Sequence, residues 1–398
     1  MHITALITTL LATASITAYG KLAVDSGYVS SVIDALNEAN FTALAGALQK
    51  IDGTTEGAAF FARVTDENIK TWLAPTNEAF ARAPESILSN TTVIADILSY
   101  HVLDAYVNPK LIGTGRGRMI IRSFYHNGML PDNKSQVVVA DTMNNTETGI
   151  QTLAFPYQEN NVTVYGAISP LSSTNLTIYS IDAVLSLPRT LGDAATTFFP
   201  SSGELLGQAG LLHTLAETKG ITVFAPNDAA ISDAGAVMKP LNSTQIAIML
   251  SNHVSLIVIV EFERLLKSRF SDPSLLQVIN GTAASASSLN KGNYTSAGGE
   301  PFTFSANTSG AYVTSGNTTA RILAIDIPIA NGMVHIIDRV LDNTNSNTAA
   351  AQSAASTSAA EATGIATGTA RLSTPISAGV IGCAMAIFAG IFAGAVVI

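Results

Sequence analysis

Apolar positions along the chain follow two rhythms, and the change from one to the other recurs at the same relative place in each half. Val32, Ile33, Leu36, Phe41, Leu44 and Leu48 keep the three-and-four spacing of one helix face. Leu205, Leu206, Ala209, Leu212 and Leu215 do so again, and Lys219-Gly220 supplies a helix stop. A short apolar run follows each helix, at 71–74 and 221–225, closed by a proline that cannot donate to a strand ladder. Thr76 or Asn77, and Asn227 or Asp228, are then placed to cap another helix. Next come apolar helices bearing His101 and His253. Beyond them, runs such as SQVVVADT, NVTVYGAI, NLTIYSIDAVL, AYVTSG and NGMVHIIDRVL alternate with Asn and Gly turns, as strands do. Each half is helical first and stranded second, which predicts an α+β domain built on a β-sandwich or wedge.

The two halves share wording as well as rhythm. TWLAPTNEAF at 71–80 answers ITVFAPNDAA at 221–230, and Pro75 stands 151 residues before Pro226. His101 and His253 are 152 apart, and Asp182 and Asp338 are 156 apart. Landmarks in one order at nearly one offset mean a tandem duplication with small loop insertions. The expected units are 21–187 and 188–342.

Composition changes the picture at both ends. Residues 1–18 are apolar and Thr-rich without an acidic residue, and read as a secretory signal peptide rather than a buried first helix. From 343 to 375 the chain is rich in Ser, Thr and Ala with almost no large apolar residue, the composition of a disordered stalk. Residues 376–398 carry no charge and are long enough to span a bilayer, but no Lys or Arg follows as in an ordinary transmembrane anchor. Small residues at Gly364, Ala366 and Gly368, a polar spacer and that tail match the signal for a glycosylphosphatidylinositol (GPI) lipid. Gly368 is the first choice for attachment, with Ala366 or Gly364 next, and a retained single span is the alternative. The lone Cys383 lies in the tail, so removing the tail leaves no cysteine for a disulfide, a thiol nucleophile or a metal.

Eleven Asn-x-Ser/Thr sequons stand at Asn40, Asn90, Asn133, Asn144, Asn161, Asn175, Asn242, Asn280, Asn293, Asn307 and Asn317. Chance would supply about five at this Ser and Thr content, so the excess points to a glycosylated surface protein. Asn175, at a strand entrance, is the weakest. A net charge of −9 argues against nucleic acid as a partner, which needs clustered cations. Charged residues are only 12% of the chain, so glycans are expected to supply part of its solubility.

These landmarks resemble the fasciclin domain family. TWLAPTNEAF looks like its first signature, NGMVHIIDRVL at 331–341 like its second, and Tyr100-His101 like its tyrosine-histidine pair. Unit one departs at Leu176 and Tyr179, where the second signature has Gly and His; unit two departs at Asn252, in place of the tyrosine. The resemblance implies a seven-stranded β-wedge with packed helices in each unit, acting in cell adhesion or matrix attachment. The stalk and lipid signal look like those of fungal cell-surface members.

The candidate partner contacts are Tyr100, His101, His253, Asn331, His335 and Asp338. Each has a structural alternative: His101 and His253 as hydrogen-bonded core histidines, Asp338 and Asp182 as carboxylates anchoring a loop inside the unit. His335 and Asp338, three apart on a predicted strand, face opposite ways and make no catalytic dyad. His213 and Glu217 lack further ligands, so no metal site and no cofactor are expected, and no HExxH, GxSxG or P-loop phrase occurs. GTGRGR at 113–118, with Arg122, is a basic loop or an anionic-glycan contact, and the apolar run 256–270 is a core segment too short to span a membrane. The sequence thus predicts a non-enzymatic, lipid-anchored cell-surface or wall glycoprotein binding surface proteins or glycans of cell, matrix or wall. The alternative is a structural wall component without a receptor. A wall-polysaccharide hydrolase would need a convergent carboxylate pair that the chain does not offer.

Overall fold

The computed structural model describes residues 26–65, 70–107, 118–144, 151–158, 162–168, 176–255, 294–307 and 309–362. The segments read as signal peptide (1–18), lipid-attachment site (Gly364, Ala366, Gly368) and apolar tail (376–398) lie outside the described residues. So do the run 256–270, residues 113–117 of the basic loop, and the sequons at Asn161, Asn175, Asn280 and Asn293.

Unit one begins with α1 (Ser26–Glu38), α2 (Thr42–Ile51) and α3 (Thr55–Val64). The periodicity that reads as one helix is two, because Asn40 turns left-handed at φ 64° and Phe41 N–H returns to Leu36 O, a C-terminal lock. There follow β1 (Lys70–Pro75), α4 (Asn77–Arg82), α5 (Glu85–Leu88), α6 (Thr91–His101) and β2 (Val102–Leu103). Strands β3 (Arg118–Arg122), β4 (Val137–Asn144), β5 (Gln151–Ala154), β6 (Val164–Ile168) and β7 (Leu176–Ile181) complete the unit.

Unit two repeats this with α7 (Leu191–Phe198), α8 (Pro200–Gln208), α9 (Leu211–Glu217), β8 (Ile221–Pro226), α10 (Asp228–Asp233), α11 (Gly235–Met238), α12 (Ser243–Ser251) and β9 (Val254–Ser255). Then come β10 (Tyr294–Thr295), β11 (Pro301–Asn307), β12 (Gly310–Ser315), β13 (Thr318–Ile329) and β14 (Gly332–Ile337). Its seven strands run β10-β11-β12-β13-β14-β8-β9. Unit one has the same order divided into β3-β4-β5 and β6-β7-β1-β2, joined by the single bridges Ala154–Thr163 and Leu103–Ser123.

In both units the first strand lies parallel to the last: Trp72 beside Ile178, Phe224 beside His335. Both strands are buried on both faces, so alternate residues serve two cores. Trp72, Ala74 and Ile178 pack with the helices, and Leu73, Tyr179 and Ile181 pack with the other strands. Unit two divides Val223, Ala225 and Val334 from Phe224 and Ile337 in the same way. The second signature needs its glycine in unit two: a Cβ on Gly332 would stand 1.9 Å from Ile221 O. The long β13 pairs with β12 at one end and β14 at the other, with register shifts between Ile322 and Ile327 that bend it from one layer into the next.

The stalk expected at 343–375 is corrected over its first part. Residues 348–362 form α13 (Thr348–Ala362), with Asn347 Oδ1 accepting from Ala350 N–H at 3.0 Å to cap it. Composition read as poverty in large apolar residues is, at this stretch, richness in alanine, the residue that loses least on entering a helix. Among the described residues, no helix is long and apolar enough to cross a membrane.

Candidate functional site

The repeated phrase is a strand–proline–helix corner. Thr76 accepts from Ala79 N–H at 3.1 Å and Asn227 from Ala230 N–H at 2.8 Å, each capping the short helix that follows. The next residue ties the corner to an earlier helix: Asn77 Oδ1 accepts from Ala43 N–H, and Asp228 Oδ1 from Ser201 N–H. Thr76 and Asn227 N–H still donate to Ile181 O and Ile337 O, so the parallel ladder survives one residue beyond the proline.

The signature histidines close the same seam from the other side. His101 Nδ1 donates to Ile97 O at 2.7 Å, and Nε2 accepts from Leu185 N–H at 2.9 Å, just beyond the last strand. His253 repeats this with Met249 O at 2.8 Å and Leu341 N–H at 2.9 Å. Both bonds require a neutral ring, and burial pushes each histidine down to about 4. Tyr100, raised by burial, donates its hydroxyl to Val137 O. Tyr179, which replaces histidine in unit one, donates to Val107 O and is raised to about 12, mainly by burial.

In unit two the corresponding His335 stacks on Phe224 with ring centroids 5.4 Å apart. Its Nδ1 accepts from Asp326 N–H at 3.2 Å and lies 4.0 Å from the Asp326 carboxylate. Asp326 sits in the bent part of β13 at φ 60°, buried. Asn331 donates to Leu215 O and Thr218 O, both at 2.7 Å.

These positions correct the expected contact surface. Tyr100, His101, His253, Asn331 and His335 are all 3% exposed or less, so they lie inside the fold rather than on its surface. Asp338 is exposed, not in the unit core, and lies just past β14 rather than within it. It does anchor the chain, because its Oδ1 accepts from Arg321 N–H at 2.7 Å, as Asp182 Oδ1 accepts from Thr163 N–H. The six residues therefore do not form one site. Arg122 is directed inward to Ser135 O at 2.5 Å. Among the described residues, no group of three His, Cys, Asp or Glu side chains is placed to hold a metal ion.

Asn252, the departure from tyrosine, takes a different job. Fully buried, it donates to Asn343 O at 2.9 Å and Asn345 O at 2.8 Å, while its Oδ1 accepts from Ser296 Oγ. Asn347 N–H then reaches Gly298 O, and a Cβ on Gly299 (φ 91°) would meet Asn347 O at 1.9 Å. This strap carries α13 against β10 and against the 3₁₀ turn Pro131–Asn133 of unit one, with Ala351 buried.

The units also meet directly. Asn127 and Gln136 both donate to Ala330 O at 2.6 Å, Gly220 N–H donates to Met129 O, and Tyr157 OH to Ile325 O at 2.7 Å. Val137 and Met333 pack together there, with Ile120 against them. Of these junction residues the sequence singled out only Gly220, and that as a helix stop.

Six sequon asparagines are exposed: Asn40, Asn90, Asn133, Asn242, Asn307 and Asn317. Asn144 ends β4 at a hairpin tip.

The family model described as the fasciclin domain matches twice, at residues 39–188 and 199–343. Comparison with curated proteins finds no match. Among solved structures, the chain is similar to a FAS1 domain pair from the insect cell adhesion molecule fasciclin I. Identity is 14%, over 77% of this chain and 97% of that one, with a TM-score of 0.35.

Proposed function

Because the chain belongs to the fasciclin domain family, with one domain in each half, we propose that it is a non-enzymatic cell-surface glycoprotein that attaches cells to neighbours, matrix or wall. The observation that carries this reading is the double family match, since fasciclin domains are associated with cell adhesion and surface proteins. The signature side chains are spent on the fold, so binding falls to exposed loops and hairpins of the paired domains. Such contacts are weak singly and gain strength from many copies on one surface. The signal-peptide-like stretch 1–18 and the apolar stretch 376–398 support export and a GPI lipid at Gly368, and with it a position at the outer leaflet or in the wall. Partners are then surface or matrix proteins or glycans.

The test is to display the full chain on cells and on beads, and to measure binding to cells and to wall-glycan and matrix arrays. Saturable binding that a soluble copy competes away supports adhesion. No binding above a deglycosylated control, even when clustered, removes the adhesive reading and leaves the structural wall component. Release of the chain from cells by a phosphoinositide-cleaving phospholipase checks the anchor, and a retained single span would resist it.

A further inference from the structure

We propose that Asn90 and Asn242 carry N-linked glycans at the same position of both domains, a site pair at which the fold accommodates the sugar. The inference rests on the secreted reading above. Each asparagine stands eleven residues ahead of its domain's core histidine, at the N-cap of the helix that the histidine ends or follows. Asn90 Oδ1 accepts from Thr92 N–H at 2.8 Å; Asn242 Oδ1 accepts from Gln245 N–H at 2.9 Å, and Gln245 Oε1 answers by accepting from Asn242 N–H. The oxygen of each amide is therefore spent on the helix, while no group among the described residues accepts from either Nδ2. Nδ2 is the atom that takes the sugar.

Three of the other exposed sequons are less open, and Asn307, whose Oδ1 accepts from Ser309 N–H, caps no helix. In Asn-Phe-Thr at 40–42, Phe41 is core; in Asn-Lys-Ser at 133–135, Ser135 is buried; at 317–319, Thr318 is held by the Asp342 carboxylate. At 90–92 and 242–244 all three residues are exposed. Transfer precedes complete folding, so what the fold decides is which modified asparagine it accepts. A sugar on Nδ2 at these two places costs neither the cap nor any buried contact.

In the transfer, Nδ2 forms a bond to the anomeric carbon of an oligosaccharide carried on a polyprenyl pyrophosphate. The C–O bond to the pyrophosphate breaks, the pyrophosphate leaves with the bonding pair, and the amide gives up one proton. The duplication places the glycan on the outer end of the one helix whose inner end is pinned in the core. The sugar is thus presented rigidly and at the same location in both domains.

The experiment is site mapping on the full chain secreted from a eukaryotic host. An amide-cleaving glycosidase in heavy-oxygen water converts each occupied Asn to labelled Asp, read by mass spectrometry. Label at both Asn90 and Asn242 is expected. Asn90→Asp and Asn242→Asp, which keep an N-cap oxygen, should each remove one glycan's mass with the unfolding temperature unchanged. Thr92→Ala and Thr244→Ala should remove the same glycans while leaving the capping asparagine in place. Unlabelled Asn90 and Asn242 in a chain glycosylated elsewhere overturn this inference alone. A secreted chain with no N-glycan at all overturns the glycoprotein reading with it.

Discussion

At the scale of the residue, His101 and His253 decide whether the seam holds. Each ring joins a helix carbonyl to the backbone beyond the last strand, and each must stay neutral to accept that second bond. The folded value near 4 lies below the unfolded 6.5, so between those values the unfolded chain binds protons that the fold refuses. This part of the stability is fully present above 6.5 and is lost as pH falls toward 4, by up to about 3 kcal/mol per histidine. Denaturant midpoints at pH 7 and pH 4.5 should differ accordingly, and equal midpoints would refute the clamp. His101→Ala or His253→Ala, leaving the buried Leu185 or Leu341 N–H unpaired and a cavity, should cost about 3–5 kcal/mol at neutral pH in the same assay. That these histidines matter was legible from their repetition. Whether they face inward was not, because a histidine on an apolar helix serves a core and a contact surface equally well.

Among the elements, the strap and α13 depart furthest from the composition. Among the described side chains of α13 Ala351 alone is buried, and the helix start is held through Asn252, Asn347 and the small residues Gly298 and Gly299 beneath it. A chain ending at Asn343 should lose about 2 kcal/mol, lowering the melting temperature by roughly 5 °C, whereas one ending at Ala362 should melt like the full chain. Asn252→Ala should reproduce the first loss without shortening the chain. Calorimetry on the three proteins checks this, and identical melting temperatures would show the strap to be idle. The pattern of apolar positions found the helices and strands because each buries a face at its own period. The strap lay beyond its reach, since polar backbone bonds from an asparagine have no period.

For the whole molecule, hydrogen bonds and an apolar contact tie the two domains together. Ala330 O is shared by Asn127 and Gln136 from the other domain, and Tyr157 reaches Ile325 O in the bent part of β13. Asn127→Ala combined with Gln136→Ala should leave each domain folded but uncouple them, turning one calorimetric transition into two at an overall cost of about 2–3 kcal/mol. A single unshifted transition would show that the apolar contact of Val137 with Met333 suffices.

The sequence by itself determined the duplication, the helix-then-strand order of each unit and the proline corner, because each follows from local periodicity or from a repeated phrase. It also set the sequons and the family resemblance, which are written in consecutive residues. Only the tertiary structure decided that five of the six signature residues are interior and that Asn252 fastens a strap. It alone showed that 348–362 is helical and that the units share Ala330 O. The helix aside, those outcomes depend on partners such as Asn252 and Asn343, 91 residues apart, and Asn127 and Ala330, 203 apart, and the rhythm of neighbouring side chains holds no record of such distances.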